Sequence, residues 1–320
     1  MAANYHYTEL FCQRNFSCLR GASHPQELVK QATFLGYQAI AITDECSVAG
    51  IVRAYTAIKE HELNIKLIIG SLFRFEEELE LVLLCTDRLA YAELCRTITN
   101  ARKRAPKGEY QLNKWDLLGI KHCLAIWLPN GVQARDNDWG AWLKKHYKHK
   151  VWIGYQRHLL ANEHRYLEHV EQLSDDHKIP ICACGGVLMH HQQRLPLQHA
   201  LTAIHTGKPI SALGRQLLPN SERYLRPINK LATLYQSAWL EETLTIANLC
   251  TFSLSSLRYE YPSELVPKGK TASKYLRELV ITGLHLRFAT GGNLTFAIKR
   301  IIIKELRLIK ELEYEYFFLT

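Results

Sequence analysis

The chain has 320 residues, 47% hydrophobic and 22% charged, a composition typical of a globular protein and not of a disordered or fibrous one. Forty Lys and Arg against 31 Asp and Glu give a formal net charge of +9, which suits contact with a polyanion without establishing it. No apolar run approaches the ~20 residues of a membrane helix, and the opening sequence MAANYHYTELFCQRNF lacks the apolar core of a signal peptide. We therefore expect a cytoplasmic protein with no membrane partner.

Short β-rich apolar runs alternate along the chain with stretches of helical periodicity. The runs are Ala39 to Thr43, Ile65 to Ile69, Leu79 to Leu84, Cys123 to Leu128, Val151 to Tyr155 and Ile179 to Cys184. Runs of this length between helices are typical of parallel strands that are buried on both faces. The pattern therefore predicts an α/β fold, either a βα barrel or a wound sheet.

The first half of the chain also predicts helices between these runs. Gln26 to Leu35 is entered through Ser23, which we interpret as its N-terminal cap. Val48 to His61 carries apolar residues at helical spacing. From Asn220 onward the sequence changes to long predicted helices that run to Cys250.

The last part of the chain predicts a separate helical region. The connector Tyr261 to Gly269, marked by Pro and Gly, indicates a domain boundary near residue 258. Thr271 to Arg287 and Thr295 to Leu312 predict two helices, and the final YEYFFLT predicts a strand. Because such a strand would have nothing after it to pack against, we expect the chain to be part of a larger protein.

The nine cysteines are an odd number, and no two have the Cys-x-x-Cys spacing. They therefore indicate neither a disulfide framework nor a zinc ribbon, and we expect them to be reduced and mostly buried. Cys182 and Cys184 alternate along a predicted strand, which places both thiols on one face. We interpret them as a buried pair of small apolar side chains and not as a redox or ligand pair.

An ordered series of motifs carries a family resemblance. Residues 8–25, TELFCQRNFSCLRGASHP, are followed by LVKQATFLGYQAIAITDECSVAGIVRAY, KLIIGSLFRF, LVLLCTDRLAYAELCRTITNARKRAPKGEY, LTAIHTGKPI, YEYPSELVPKG and KELRLIKELEYEYFFLT. Together they resemble the start of the bacterial error-prone DNA polymerases of the DnaE2 (ImuC) type, which belong to the C-family of replicative polymerases. The resemblance spans essentially the whole chain.

The resemblance implies a fold and a division of the chain. Residues 1–258 would form a PHP (polymerase and histidinol phosphatase) domain, a distorted seven-stranded βα barrel, and residues 259–320 would be the mainly helical start of the polymerase palm region. In the family, palm carboxylates hold two metal ions, Mg²⁺, for phosphoryl transfer. Those carboxylates lie beyond the segment that this chain matches, so we expect no catalytic residue and no cofactor here, and no primer extension by this chain alone.

The PHP resemblance also allows each metal-ligand position to be compared. The opening His-x-His of the pattern falls on Phe11 and Gln13, the strand-end Asp-His on Asp44 and Glu45, the Glu after Ile-Gly near Leu72, the next His near Glu80, and the late Asp-x-His on Gly186 and Leu188. Asp44 is thus the one ligand retained. Because loss of a single supporting partner already weakens metal affinity about 10- to 100-fold, we expect a degenerate, metal-free barrel with a structural role. The alternative is a remodelled site that uses Asp44, Glu45, Glu80, His190 or His191.

Two further groupings have a functional and an ordinary interpretation. His190, His191, His199 and His205 could be transition-metal ligands, but we interpret them as scattered surface or capping residues. The segment ARKRAPKG supplies Arg102, Lys103, Arg104 and Lys107, and with Arg14 and Arg20 these are weak candidates for contact with DNA phosphates. Solvated loops often have the same composition.

Three hypotheses follow from the sequence. The leading one is an N-terminal fragment of an error-prone DNA polymerase for translesion synthesis, whose partners are the rest of the polymerase chain, DNA and damage-tolerance accessory proteins. The second is a free-standing, non-catalytic PHP module that binds a polymerase or DNA. The third is a metal-dependent phosphoesterase with a remodelled site.

Overall fold

The computed structural model describes residues 6–15, 19–257, 265–288 and 295–320. The described residues form seven strands and eleven α-helices. The strands are β1 (Thr8–Glu9), β2 (Ala39–Ile42), β3 (Lys66–Arg74), β4 (Glu80–Leu84), β5 (Leu124–Trp127), β6 (Val151–Gln156) and β7 (Ile181–Cys184). The helices are α1 (Pro25–Phe34), α2 (Ile51–Glu60), α3 (Arg88–Lys103), α4 (Gln133–Tyr147), α5 (Glu163–His177), α6 (Leu195–Thr206), α7 (Ile228–Leu234), α8 (Ser237–Leu249), α9 (Ala272–Phe288), α10 (Phe296–Glu311) and α11 (Glu315–Leu319).

The seven strands form one sheet in the order β1 to β7 that curls into a nearly closed barrel. The chain just after β1 pairs with the chain just after β7. There the amide of Gln13 donates to the carbonyl of Val187 and the amide of Val187 donates to the carbonyl of Phe11, both at 2.9 Å. The predicted seven-stranded βα barrel is confirmed.

One strand runs against the predicted parallel arrangement. β4 pairs antiparallel with both β3 and β5, whereas the other neighbouring strands are parallel. The connection from Arg74 to Glu80 is too short for a crossover helix, so the chain turns back as a hairpin. The prediction of uniformly parallel strands was therefore wrong for β4. As a result, the amino end of β4 lies at the same rim as the carboxyl ends of the parallel strands.

Successive side chains along each strand belong to two different apolar layers, one on each face of the sheet. Ala39 and Ala41 belong to the cluster inside the barrel, whereas Ile40 and Ile42 pack between the sheet and the helices. This alternation follows from the two-residue period of a strand. Because both layers are apolar, the strands read as continuous hydrophobic runs in the sequence.

Helix α8 covers the amino ends of the strands. The hydroxyl of Thr243 accepts a hydrogen bond from the amide of Thr8 (3.2 Å), the amine of Lys66 donates to the carbonyl of Ala247 (2.6 Å), and the indole of Trp152 donates to Glu242 (2.8 Å). These contacts tie the starts of β1, β3 and β6 to one helix. The polar side chains discussed below lie at the opposite rim, at the carboxyl ends of the parallel strands.

Several predicted element boundaries need correction. Helix α1 is capped by His24 and not by Ser23, because the side chain of Glu27 accepts from the amide of His24 (2.8 Å). The hydroxyl of Ser23 instead accepts from the amide of His190 (2.8 Å). The helices predicted from Asn220 begin only at Ile228, after Pro227. The predicted helices that correspond to α1, α2, α9 and α10 are confirmed.

The chain divides into two compact units, Met1–Leu257 and Arg258–Thr320. Residue 258 and the connector residues 261–264 lie outside the described residues, as does Cys18. In the second unit the predicted terminal strand was wrong, because Glu315–Leu319 is a helix. The described residues of this unit form helices only and offer no strand edge for pairing. Within the described ranges, no helix has both the length and the apolarity that a membrane span requires.

A buried carboxylate lies at the seam where the barrel closes. Glu9 is 1% exposed, and its Oε1 accepts from the amides of Phe11 (3.0 Å) and Gly185 (2.9 Å). Its Oε2 accepts from the hydroxyl of Tyr7 (3.0 Å). Burial raises the pKa of Glu9 to about 7, although these hydrogen bonds act in the opposite direction. The seam therefore holds a carboxyl group that titrates near neutrality.

We predict that Glu9→Gln reduces the pH dependence of stability. A carboxyl group whose pKa rises from 4.5 to about 7 on folding stabilises the fold fully below the unfolded value and loses that contribution as the pH rises through 7. The glutamine keeps an oxygen for the two amides and cannot ionise. Between pH 4.5 and 8, the unfolding free energy of the variant should therefore rise relative to that of the parent, by up to about 3 kcal/mol.

Urea unfolding at a series of pH values measures this difference. Glu109→Gln, at an exposed position, is the matched control and should follow the parent. Parallel profiles for the parent and Glu9→Gln would show that folding does not raise the pKa of Glu9.

Candidate functional site

A buried ion pair joins the ends of β1 and β2. Arg14 and Asp44 have fully buried side chains, and the guanidinium of Arg14 forms an ion pair with Asp44. The backbone amide of Arg14 also donates to Asp44 Oδ1 (3.1 Å). Burial lowers the pKa of Arg14, and the charge of Asp44 opposes that shift. Asp44 is the one carboxylate that matches the metal-ligand pattern. The cation that faces it is the guanidinium of Arg14.

The residue at position 50 makes room for this guanidinium. A Cβ atom placed on Gly50 would lie 1.1 Å from Arg14 Nη1. A side chain at position 50 would therefore require the guanidinium of Arg14 to move. Because Gly50 is not at a positive φ, this close approach, and not backbone strain, is what favours glycine here.

Arg74 connects the two other carboxylates of the rim. It is the last residue of β3 and lies opposite Glu80, the first residue of β4. Its Nε donates to Glu80 Oε1 (2.8 Å), and its Nη1 donates to Glu45. Glu45 also accepts from the Tyr110 hydroxyl (2.9 Å) and pairs with Arg20 (3.3 Å). Burial raises the pKa of Glu45, but Arg74 and Arg20 hold it below its usual value.

The other positions of the pattern carry no charged ligand. Phe11, Leu72 and Leu188 are buried apolar side chains. Gly186 has φ of +54°, a left-handed conformation that disfavours other residues, and a Cβ there would lie 2.1 Å from Gln156 Oε1. These positions lie at one rim with Asp44, Glu45 and Glu80. An aspartate at position 186 would not fit the present packing.

The donor atoms at this rim do not fit a hydrolytic metal centre. In the ranges that the structure describes, no three His, Cys, Asp or Glu side chains converge in a way that could hold a metal ion. Asp44, Glu45 and Glu80 are each committed to arginine partners. Metal centres require deprotonated ligands that face a common point, and these carboxylates face guanidinium groups instead. We therefore derive no chemical step through a metal.

Three of the four histidines considered as ligands have separate hydrogen-bond partners. His190 Nδ1 contacts the Ser23 hydroxyl (2.8 Å), and His191 Nδ1 accepts from the amide of Gln193 (3.3 Å). His199 Nε2 donates to the carbonyl of Leu218 (3.1 Å). His205 lines a cavity at the rim. Cys182 and Cys184 are buried, with their sulfur atoms 3.9 Å apart, and the eight described cysteines are free thiols.

Sequence reasoning missed Arg74 and Arg223, which lie at the rim together with Arg20, a residue that it considered only for contact with DNA. Arg20, Arg74 and Arg223 line one cavity of about 200 Å³, and Arg74 and Arg223 also line a second cavity of about 470 Å³. His158 lines the second cavity, where its Nε2 donates to the carbonyl of Gly185 (2.9 Å). Burial, with the charge of Arg223 acting in the same direction, lowers the pKa of His158 to about 3, so the ring is neutral. The rim is therefore rich in fixed positive charge.

The candidate DNA contacts differ in how far they are available. Arg102 is committed to backbone carbonyls, including those of Cys46 (3.2 Å) and Gly108 (3.1 Å), and its guanidinium lies over the Tyr110 ring. Arg104 pairs with Asp116 (2.6 Å). Lys103 and Lys107 are exposed. Arg102 therefore fixes the loop between α3 and the next segment, and Lys103 and Lys107 are the more available of these candidates.

The comparisons with known proteins agree with this barrel. Residues 9–130 match the family model described as the PHP domain. The fold is that of a PHP domain. A solved structure of an amidohydrolase from Chromobacterium violaceum resembles the chain at 12% identity and a TM-score of 0.42, over 56% of this chain and 86% of that one. That similarity is too distant to inform function.

Three curated relatives carry the name "Error-prone DNA polymerase". The chain is 56% identical over 314 residues to the protein of Vibrio vulnificus strain CMCP6, 48% over 316 residues to that of Methylococcus capsulatus, and 44% over 315 residues to that of Pseudomonas aeruginosa PAO1. Each alignment covers 98% of this chain and 30% of the relative. The chain thus spans about a third of the length of the relatives that it matches.

We predict that Asp44 is required for stability and not for metal binding. Asp44→Asn would leave Arg14 buried without its charged partner, so the free energy of unfolding should fall by about 3–5 kcal/mol. The matched control is Glu78→Gln, which breaks the exposed pair with Arg135 and should cost less than about 1 kcal/mol.

Chemical denaturation and metal analysis of the same samples provide the test. The parent and Asp44→Asn should have the same metal content. A variant of unchanged stability that loses bound metal would show that Asp44 is a ligand.

Proposed function

We propose that the chain is the N-terminal part of an error-prone DNA polymerase of the DnaE2 (ImuC) type, acting in translesion synthesis. The observation that carries the proposal is the 56% identity to the Vibrio vulnificus polymerase over 98% of the chain. Identity at this level across both units of the chain exceeds what a shared barrel fold alone would require. The match to the PHP domain over residues 9–130 supports it.

In this proposal residues 1–258 are the PHP domain and residues 259–320 begin the palm region. The second unit supports a larger assembly because its helices expose apolar side chains. A cavity of about 650 Å³ is lined by Ile281, Leu284 and Phe288 of α9 and by Ile302, Ile303 and Leu306 of α10. Exposed apolar patches of this kind mark interaction surfaces. The proposed occupant is the rest of the polymerase chain.

The PHP barrel in this proposal is a scaffold that has lost its metal site. The support is the replacement of ligand contacts by ion pairs within the chain: Arg14 with Asp44, and Arg74 with Glu45 and Glu80. These pairs connect the ends of β1 to β4, so they hold the rim together in the absence of a metal cluster. The barrel would then contribute structure to the polymerase and not hydrolysis.

Nucleotide transfer would belong to palm carboxylates that bind Mg²⁺ outside this chain. DNA and damage-tolerance accessory proteins would be partners of the whole polymerase. Within this chain, Lys103 and Lys107 are exposed and could contact a phosphate backbone. The net charge of +9 supports such a contact.

We predict that the coding DNA beyond the codon for Thr320 continues in frame into a palm region with closely spaced aspartates. The measurement is the sequence of roughly a further kilobase of that DNA, followed by primer extension with the protein that it encodes. The longer protein should extend a primer on a damaged template, and the 320-residue chain should not. A stop codon directly after Thr320, or extension by the short chain, would contradict the proposal.

We predict that the 320-residue chain, purified without chelator, holds less than one equivalent of Zn, Mn or Fe and hydrolyses no phosphate monoester. The reason is that its rim carboxylates are paired with arginines. Mass spectrometry of the metal content and a chromogenic phosphatase assay measure the two properties. Stoichiometric metal together with hydrolysis that chelation abolishes would instead establish a remodelled phosphoesterase.

A further inference from the structure

A dense run of basic residues lies where strands β5 and β6 begin. The segment KKHYKHK, residues 144–150, connects the end of α4 to the start of β6. It contains four lysines and two histidines but no acidic residue. Lys121 comes shortly before β5 in the same way. Because β5 and β6 are parallel, their starts share one rim, and that rim is opposite to the one that holds Asp44.

A cavity of about 440 Å³ opens among these basic side chains. Lys121, Lys148 and Lys150 contribute to its wall, together with His146 and His149. The rest of the wall is apolar or aromatic and consists of Leu117, Leu118, Ile120 and Tyr147. The volume falls within the range of about 300–1,000 Å³ that is typical of ligand pockets. The cavity therefore combines room for a ligand with a positively charged wall.

The three lysines of this wall have no ion-pair partner in the part of the chain that the structure describes. The carboxylates beside the cavity have other contacts. Glu93 accepts from the backbone amide of Lys121 (3.0 Å), and Asp116 pairs with Arg104 (2.6 Å). The amine of Lys150 donates to the carbonyl of Lys121 (2.8 Å), which is a neutral acceptor. The charge of the cavity is therefore available to an anionic partner.

An exposed indole adjoins the lysines of this cavity. Trp115 is 64% exposed and Leu118 is 46% exposed, and both belong to the 3₁₀ helix Lys114–Gly119. Side chains three residues apart lie on the same face of a 3₁₀ helix, so the indole lies beside Leu118, which lines the cavity. The amine of Lys114 is 5.0 Å from the centre of the indole ring. The surface thus places a large exposed aromatic ring next to several cations.

We propose that this cavity and the Trp115 indole bind single-stranded nucleic acid. The lysines contact phosphates of the backbone, and a base stacks on the indole. Cations beside an exposed aromatic ring are the combination by which proteins bind single strands without sequence preference. A duplex keeps its base faces stacked inside, and an acidic peptide leaves the indole without a partner. A single strand therefore fits this surface better than either of them.

The site deepens the proposed polymerase function, on which the choice of a nucleic acid rests in part, by adding a contact for an unpaired strand on the PHP barrel. All of its residues belong to the first compact unit. Strand binding is measured without polymerisation, so a failure of this site and a failure of the proposed polymerase function give different results.

Fluorescence anisotropy of a short labelled oligothymidylate, titrated with the 320-residue chain at a series of salt concentrations, tests the phosphate contacts. Lys121→Gln and Lys148→Gln together should reduce the slope of log affinity against log salt by about 1.4, because each phosphate contact with a single strand contributes about 0.7. The matched control is Lys30→Gln with Lys59→Gln. It removes the same charge from exposed positions on α1 and α2 and should keep the slope of the parent.

Trp115→Ala tests the aromatic contact separately. It should weaken binding about tenfold without changing the salt slope, because base stacking is lost while the phosphate contacts remain. Phe34→Ala is the matched control, since it removes another aromatic side chain that is 83% exposed. It should bind the oligothymidylate like the parent.

Competition with a polyglutamate peptide and with vesicles of anionic lipid distinguishes a nucleic acid from other anionic partners. A lower salt slope in the lysine variant, together with weaker binding by Trp115→Ala, supports the site. Absence of binding by the parent, or an unchanged slope in the lysine variant, overturns it. A loss that depends on the lysines alone also overturns the assignment to a single strand, as does competition by either anion that equals competition by unlabelled oligothymidylate.

Discussion

The barrel rim depends on the buried ion pair between Arg14 and Asp44. Two charges taken out of water are costly unless they face each other with good geometry, and here both side chains are fully buried. The pair joins the ends of β1 and β2, and Gly50 leaves the space that the guanidinium fills. The charge of Asp44, which matches a ligand position of PHP domains, is neutralised by the chain itself.

A second set of charges extends this arrangement to the hairpin of β3 and β4. Because β4 is antiparallel, Glu80 lies at the rim opposite Arg74, and Arg74 reaches Glu45 after β2. These contacts fix four consecutive strands at one end, while α8 fixes strand starts at the other. The barrel is therefore tied at both ends by side chains that are remote in sequence.

The sequence predicted the strands well because a strand that is buried on both faces is a continuous apolar run in the sequence. The direction of β4 left no such record, because an apolar run has the same composition in a parallel and in an antiparallel strand. Asp44 was identifiable because the family resemblance aligns it with the strand-end Asp of the PHP ligand pattern. Its partner Arg14 was not, because their contact depends on the register of β1 against β2. Arg223 lies in an irregular segment, and no periodicity indicates which way its side chain points.

The steric fit around Gly50 and Gly186 has a consequence for the substitutions that the rim accepts. A side chain at position 50 would strike Arg14, and shortening Arg14 would leave both an empty space and an unpaired Asp44. An aspartate at position 186 would strike Gln156 Oε1 unless that side chain moved. The residues at positions 14 and 50, and those at positions 156 and 186, are therefore sterically coupled. A substitution at one of them limits which side chain its neighbour can carry.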